Sequence, residues 1–416
     1  MRMDARRRII NGGRGHDFVT PFVTASSRRR PLTMMCDGCR TAARRVGATG
    51  GAGLVALLFT LSGMATPAHA QRTVAIQGIA TVEGWSTDSG STLLTRNHGR
   101  PGLVGRLNVW GAAELGSRLV VYAAGTVEGG SARHEEGTEW YTDMAGVRFT
   151  ASDALVIDAG KMVHPVGAFA SRRYPDRNPL VGAPDSYPLQ YPWGVQLSGV
   201  RGTVDYRAAI VSLPITDDRY LPATTAHARP AVRVGITPAV GVRVGLSSTW
   251  GPYLNCDLPA SQLAGRPWHA YEQRIGAVEA QVSRGYLELR GELGVSRYEV
   301  PGASDAPPAT VDGFAWYGDA KYTVTPRLFV ATRVERNDYA FIQPLADGSW
   351  IASPTNMYNA ELGAGYRFGA RTLFKASVRA DRWKVSPELR PILPDGVAFA
   401  VQLSRRFEGF GVDFGG

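Results

Sequence analysis

One stretch in the first half of the chain concentrates side chains that could bind or select small ions. Residues 164–192 have no hydrophobic period and are rich in proline, glycine, arginine and tyrosine. Guanidinium groups lining a narrow passage favour anions, whereas arginines paired with carboxylates mainly hold a segment in place. Three arginines and two aspartates give a net charge of only +1, so pairing is the simpler interpretation and both stay open. The candidate residues are His164, Arg172, Arg173, Asp176, Arg177 and Asp185.

Residues typical of catalysis or metal binding do not form recognisable motifs. The five histidines after residue 70 each lie in a different predicted loop, and none has metal-ligand spacing to another. No segment matches a nucleophile elbow, a zinc-protease helix or a phosphate-binding loop. We therefore expect no cofactor, no metal and no enzyme activity, although a Ser-His-Asp site built from distant residues stays an alternative. These histidines are His98, His134, His164, His227 and His269.

The segments around residues 164–192 alternate apolar and polar residues with a period of two. Residues 240–248 and 373–381 show it over nine positions each. Such alternation is typical of strands with one apolar and one polar face, and about sixteen strands are predicted. The predicted strands are 73–85, 102–114, 118–128, 138–150, 154–163, 193–200, 203–212, 229–237, 240–250, 270–283, 285–298, 310–323, 327–339, 356–368, 371–383 and 395–407.

Long and short connections alternate between these strands. Tight turns such as Arg201-Gly202 and Arg284-Gly285 follow every second strand, and long connections such as 251–269 follow the others. An even number of antiparallel strands with short periplasmic turns and long external loops is typical of bacterial outer-membrane β-barrels. We predict an all-β, transmembrane antiparallel barrel in contact with outer-membrane lipids, with residues 164–192 as the third long loop, folded inward.

The polar face of these strands carries more charge than a dry core could hold. Unpaired buried ions cost several kcal/mol each, whereas a water-filled lumen solvates them. A β-sandwich with polar outer faces is the alternative, but its strands would be shorter. The candidate lumen residues are Arg106, Arg207, Arg233, Arg243, Arg290, Arg333, Glu335, Glu361, Arg379 and Asp381.

The basic excess of the chain lies in its leader. The chain has 46 basic and 36 acidic residues, of which residues 1–70 hold 11 and 3, so the remainder has a net charge of +2. This balance argues against a nucleic-acid partner. Arginines, the apolar run Gly53–Ser62 and Ala68-His69-Ala70 form a signal-peptide pattern. We predict cleavage after Ala70, with Met34 or Met35 as a possible true start.

The segment Gly160–Gly167, GKMVHPVG, resembles a motif of the phosphate-selective porin family and related sixteen-stranded porins. In that family it ends a strand and opens the loop that folds into the channel. The resemblance implies a third loop that narrows the lumen and a homotrimer. The last predicted strand, residues 395–407, alternates up to Phe407 and resembles the signal read by the barrel-assembly machinery, although the tail 408–416 follows it.

These features together predict a single barrel domain over residues 71–416 that acts as a passive channel for small hydrophilic solutes. The third loop would act as its filter. Two alternatives stay open: a non-conducting barrel whose external loops bind a partner or surface polymer, and a barrel that carries a hydrolase site.

Overall fold

The computed structural model describes the strand-rich part of the chain after the leader. The described residues are 73–88, 100–131, 137–185, 190–215, 227–256, 258–302, 309–344, 350–385, 387, 390, 394–408 and 412–413. The predicted leader, residues 1–70, lies outside them. None of the described helices is long and apolar enough to cross a membrane.

Sixteen long strands form the wall. They are β1 (Thr73–Thr87), β2 (Gly102–Glu114), β3 (Leu119–Gly129), β4 (Thr138–Ser152), β5 (Leu155–Lys161), β6 (Trp193–Arg201), β7 (Val204–Val211), β8 (Arg229–Ala239), β9 (Val242–Pro252), β10 (Glu272–Arg284), β11 (Leu287–Val300), β12 (Ala309–Thr323), β13 (Leu328–Pro344), β14 (Trp350–Arg367), β15 (Thr372–Lys384) and β16 (Gly396–Glu408). Short 3-10 helices occupy Phe169–Arg172, Ala260–Gln262 and Trp268–Ala270.

The sheet closes on itself, which confirms the predicted fold class. Each strand pairs antiparallel with its sequence neighbours, and β1 pairs with both β2 and β16. Gln77 of β1 lies opposite Trp110 on one side and Glu408 on the other. Closure leaves no strand edge unpaired, as a bilayer requires of a spanning sheet. A two-residue strand β17, Val412–Asp413, also pairs with β1, so part of the predicted tail joins the sheet.

The two faces of the wall have the opposite polarity to a water-soluble barrel. On β13, Val330 and Val334 point outward and are 41% and 48% exposed. Between and beside them, Arg333 and Glu335 point inward and are 0% and 3% exposed. The same alternation runs around the barrel, with exposed valines, leucines and aromatics outside and buried ions inside. An apolar outer band and a polar interior suit a barrel surrounded by lipid.

The strand boundaries differ most from prediction at the hairpin of β13 and β14. Residues 340–355 were expected to be a long loop, but pairing continues from Tyr339 opposite Thr355 to Pro344 opposite Trp350. The prediction of a loop was wrong here because of Pro344 and Pro354, since proline normally interrupts the interior of a strand. By contrast β5 ends at Lys161, two residues before its predicted end.

Candidate functional site

The two ends of the connection between β5 and β6 are joined by backbone hydrogen bonds, and this paired part is called the base of the loop. The backbone N–H of Met162 donates to the Pro192 carbonyl at 2.9 Å, and that of His164 donates to the Gln190 carbonyl at 3.1 Å. Val166 then packs against inward-facing apolar residues of β7, β8 and β10, among them Val211, Ala231 and Ile275. The base therefore directs the chain toward the interior face of the wall.

The first docking point lies at Gly167, the last residue of the porin-like motif. Its N–H donates to Ser247 Oγ on β9 at 3.1 Å, and the N–H of Ala168 donates to Glu292 Oε2 on β11 at 2.9 Å. Gly167 has a φ of +79°, and a Cβ there would lie 2.3 Å from Glu292 Oε1. Only glycine fits, because it alone combines positive φ with this close approach. The ring of Phe169 then meets Tyr317 of β12 edge-on, with centroids 6.1 Å apart.

The second docking point holds the loop backbone between Asn178 and Gly182. Arg333 donates from Nη1 to the Gly182 carbonyl at 2.8 Å and from Nη2 to Asn178 Oδ1 at 3.1 Å. Lys375 Nζ donates to the carbonyls of Asn178 and Leu180 at 3.0 and 2.8 Å. The Gly182 N–H donates to Glu361 Oε1 at 3.1 Å. Wall cations thus bind loop carbonyls and a wall carboxylate binds a loop N–H, so buried charge is matched to backbone dipoles.

The third docking point is Asp185. Its N–H donates to Glu335 Oε2 at 2.8 Å, and its carboxylate forms an ion pair with Arg379 of β15. Arg379 also donates from Nε to Asp381 at 2.9 Å. Within the second point, the side chain of Leu180 packs with Phe329, Ala331 and Leu373. The loop is therefore attached to the β11–β15 side of the wall by both polar and apolar contacts.

The loop ions predicted from sequence have different partners. Arg173 forms an ion pair with Asp143 of β4 at 2.8 Å, and Asp176 pairs with Arg406 of β16 at 3.6 Å. Arg177 is exposed, and its carbonyl accepts a hydrogen bond from Arg290 at 3.4 Å. Arg172 donates to a neutral group, Gln281 Oε1 of β10, at 3.3 Å. Pairing with the wall thus describes Arg173, Asp176 and Asp185. Arg172 forms no salt bridge with a described residue, and it interacts with buried Glu292 only at longer range.

His164 is a buried residue of the loop base. It is 4% exposed, and its Nδ1 accepts a hydrogen bond from the Val166 N–H at 3.3 Å. Burial lowers the pKa of His164 to about 3, and the positive charge of Arg229 adds to this effect. The imidazole is therefore neutral at pH 7 and acts as a hydrogen-bond acceptor rather than as a filtering charge.

The candidate wall residues all lie on the inner face, most of them in ion pairs. Arg106 contacts Glu83 and Glu128 at 3.1 and 2.9 Å. Arg233 and Arg243 share Asp205 and Glu279. The remaining pairs are Arg290 with Glu288, Arg333 with Asp319 and Glu361, and Arg379 with Glu335 and Asp381. Arg207 forms no ion pair with a described residue.

A cavity of about 600 Å³ lies beside the first docking point of the loop. It is bordered by inner-face residues of β2–β10 and by the loop from Met162 to Arg172. Several lining residues, such as Arg148, Ser198 and Arg207, lie within a few positions of the short turns. The loop from Met162 to Arg172 thus forms one border of this cavity, and strands β2–β10 form the other.

Sequence reasoning named Arg333, Glu335, Glu361 and Arg379 as lumen residues but did not predict that they bind the loop. It did not single out Asn178 or Gly182. Asn178 and Gly182 look like ordinary turn residues in the sequence, and Lys375 is one of many charges on an alternating strand. A signal exists only for Gly167, through the porin-like motif. Partners separated by 150 to 200 positions, such as Lys375 and Leu180, cannot be paired from spacing alone.

Two histidines that the sequence treats as isolated come together. His227 and His269 follow different strands, yet their ring centroids are 5.3 Å apart, and both rings contact Trp268. Within the described ranges no three or more metal-ligating side chains cluster. His98 and His134 lie outside the described residues.

Known proteins resemble this chain in structure but not in sequence. No protein-family profile and no curated protein matches it. OmpF of Salmonella typhi in complex with daunomycin has a TM-score of 0.55 at 11% identity, over 80% of this chain and 97% of that chain. The anion-selective porin of Comamonas acidovorans has a TM-score of 0.54 at 11% identity, over 81% of this chain and 100% of that chain. The trimer form of OmpT, an outer membrane protein of Vibrio cholerae, has a TM-score of 0.50 at 12% identity, over 81% of this chain and 100% of that chain.

Identities this low show a shared fold and nothing finer. The resemblance to porins holds at the level of the barrel, and the narrower resemblance to phosphate-selective porins has no support from a family profile. The chain therefore shares the closed antiparallel β-barrel fold of these outer-membrane proteins.

Proposed function

We propose that this protein is an outer-membrane channel for the passive diffusion of small hydrophilic solutes. The observation that carries the proposal is a cavity with a largely polar border beside the docked loop. The third loop docks on β11–β15 through Arg333, Lys375 and Arg379 and leaves the space along β2–β10 open. A sixteen-stranded barrel is wide enough for an aqueous channel, and a loop folded across it narrows that channel.

The filter in this proposal is size exclusion combined with the charge of Arg172. Arg173, Asp176 and Asp185 have partners on the wall, so their main role is to position the loop. No catalytic step and no cofactor belongs to the mechanism. The chain would reach the membrane through a signal peptide cleaved after Ala70, and the barrel-assembly machinery would read β16. Like the trimer form of the Vibrio cholerae protein, it would form a homotrimer.

Planar-bilayer recording of the purified protein tests the channel. We expect discrete open steps in symmetrical salt, with permeability to small sugars in a liposome-swelling assay. Heat-unfolded protein serves as the control. Pure, correctly folded barrel that produces no open steps would overturn the proposal and favour a non-conducting barrel.

Mass spectrometry of the protein taken from membranes tests the leader separately. We expect the mature chain to begin at Gln71. A mature chain that retains residues 1–70 would contradict the predicted cleavage but not the channel.

A further inference from the structure

The polar groups that border the cavity form a belt across neighbouring strands. Arg148 lies opposite Asp158, and Asp158 lies opposite Gln196. Ser198 lies opposite Arg207, which lies opposite Arg233. Arg243 lies opposite Gln281, to which Arg172 of the loop donates. The belt therefore runs from β4 to β10 and ends at the loop.

This belt has an excess of positive charge. The cavity lining contains five guanidinium groups and the single carboxylate of Asp158. Asp205 and Glu279, which pair with Arg233 and Arg243, supply two more carboxylates and leave a net charge of +2. The excess resides in Arg172 and Arg207, for which no described carboxylate lies within salt-bridge distance.

Both excess cations have unused donors near the cavity. Arg172 Nη1 is buried and has no hydrogen-bond partner among the described residues, although Nη2 bonds Gln281. Arg207 is exposed, lies in the lining and makes no hydrogen bond with any described side chain. A buried donor without a partner is costly, so an anion that accepts from it would be stabilised.

Part of the cavity lining is apolar and lies beside the arginines, since the guanidinium of Arg148 is 5.9 Å from the ring centroid of Tyr122. Tyr122, Met144 and Met162 form this part together with small aliphatic side chains. An apolar surface gains nothing from a fully hydrated inorganic ion but favours contact with hydrocarbon or an aromatic ring. The cavity is thus lined by both guanidinium groups and apolar side chains within one volume of about 600 Å³.

Resting on the proposed channel function, we propose that this cavity is a binding site for small organic monoanions, in which an apolar body carries one carboxylate. Arg172 and Arg207 bind the carboxylate, and Tyr122, Met144 and Met162 contact the apolar body. The site lies beside the third loop, so a bound solute would occupy part of the lumen.

Calorimetric titration of the full-length protein in detergent micelles tests the site, with benzoate, benzamide and inorganic phosphate as probes. We expect one benzoate per barrel, bound at least tenfold more tightly than benzamide or phosphate. Arg172→Gln and Arg207→Gln should each weaken benzoate binding roughly tenfold, the loss typical of one charge-assisted hydrogen bond. Arg297→Gln, an exposed arginine paired with Asp312 away from the cavity, should leave binding unchanged.

The outcomes separate this inference from the channel itself. Equal affinity for benzoate and benzamide, or unchanged affinity in both arginine variants, would overturn the anion site. Tighter binding of phosphate would overturn the organic class. If Arg207→Gln does not fold, Arg207→Lys takes its place in the test. This variant keeps the positive charge, so its affinity for benzoate should stay within about threefold of that of the parent protein. Open steps without benzoate binding would contradict the site alone, and benzoate binding without open steps would contradict the channel alone.

Discussion

Two sides of the barrel interior use charge in different ways. Along β11–β15, buried ions contact the loop: Arg333, Lys375 and Arg379 are all at most 5% exposed and bind loop oxygens. Along β4–β10, arginines border the cavity, and Arg207 of β7 and Arg172 of the loop form no salt bridge with a described carboxylate. The first side binds the loop mainly through buried ions, whereas the second side also contacts the loop but has arginines at the border of the cavity.

The difference shows why a count of inner-face charges says little about selectivity. Acids and bases are nearly balanced on the inner face, which argues against a strongly selective pore. The border of the cavity is uneven, however, because it contains five arginines and the single carboxylate of Asp158. A solute in the cavity would meet mainly guanidinium groups. Selectivity therefore depends on which charges the loop covers.

The largest effect is expected from removing Arg333. Its guanidinium binds Asp319 at 2.6 Å and two loop oxygens, so Arg333→Ala leaves a buried carboxylate without its cation. We expect a loss of about 3–5 kcal/mol in the free energy of unfolding. Urea denaturation of the barrel in micelles measures it. Arg297→Ala removes an exposed ion pair and should leave the denaturation midpoint unchanged, and equal effects of the two variants would contradict the distinction.

Acid should weaken the base of the loop through His164. The pKa of His164 is lowered to about 3 by burial, so the unfolded chain binds a proton first as the pH falls below about 6.5. The free energy of unfolding therefore falls as the pH drops from about 6.5 to about 3. The loss due to His164 is about 3 kcal/mol at pH 4.

The variant His164→Gln isolates this contribution, because glutamine does not titrate. Denaturation at pH 7 and pH 4 should show a smaller drop for the variant than for the parent protein. Identical drops in the two proteins would show that His164 does not contribute to the acid sensitivity.

Removing Lys375 should loosen the loop without disturbing the cavity residues. Lys375→Met leaves the carbonyls of Asn178 and Leu180 buried without a donor, at a cost of about 1–3 kcal/mol. We expect higher single-channel conductance, because the loop leaves the wall part of the time. Lys384→Met, at the exposed end of the same strand, is the matched control. Lower or unchanged conductance in Lys375→Met would argue that the loop does not limit the passage.

The smallest effect is expected on ion selectivity. Arg172→Gln should reduce anion preference roughly twofold in reversal-potential measurements, because a partly buried charge is screened little by salt. Arg177→Gln should change it less, because Arg177 is exposed and its charge is screened. A larger shift in Arg177→Gln than in Arg172→Gln would reverse the assignment of the filter to the border of the cavity.

The sequence predicted the candidate site only in part. It placed the loop after the fifth strand and named Arg172, Arg173 and Asp185, because a long aperiodic segment stands out against regular alternation. It did not separate Arg172, bonded to an amide, from Arg173, bonded to a carboxylate. It also missed the role of Lys375, since nothing local distinguishes a lysine that binds a loop carbonyl from one that contacts water.

The sequence by itself determined the strands, their inward and outward faces and the alternation of connections. Each of these is local, because side chains alternate along a strand with period two and turns depend on a few residues. Only the tertiary structure decided where the loop docks, which charges it covers and which stay open. Those outcomes depend on contacts between residues as far apart as Asn178 and Lys375, and closure of the barrel is what brings such residues together.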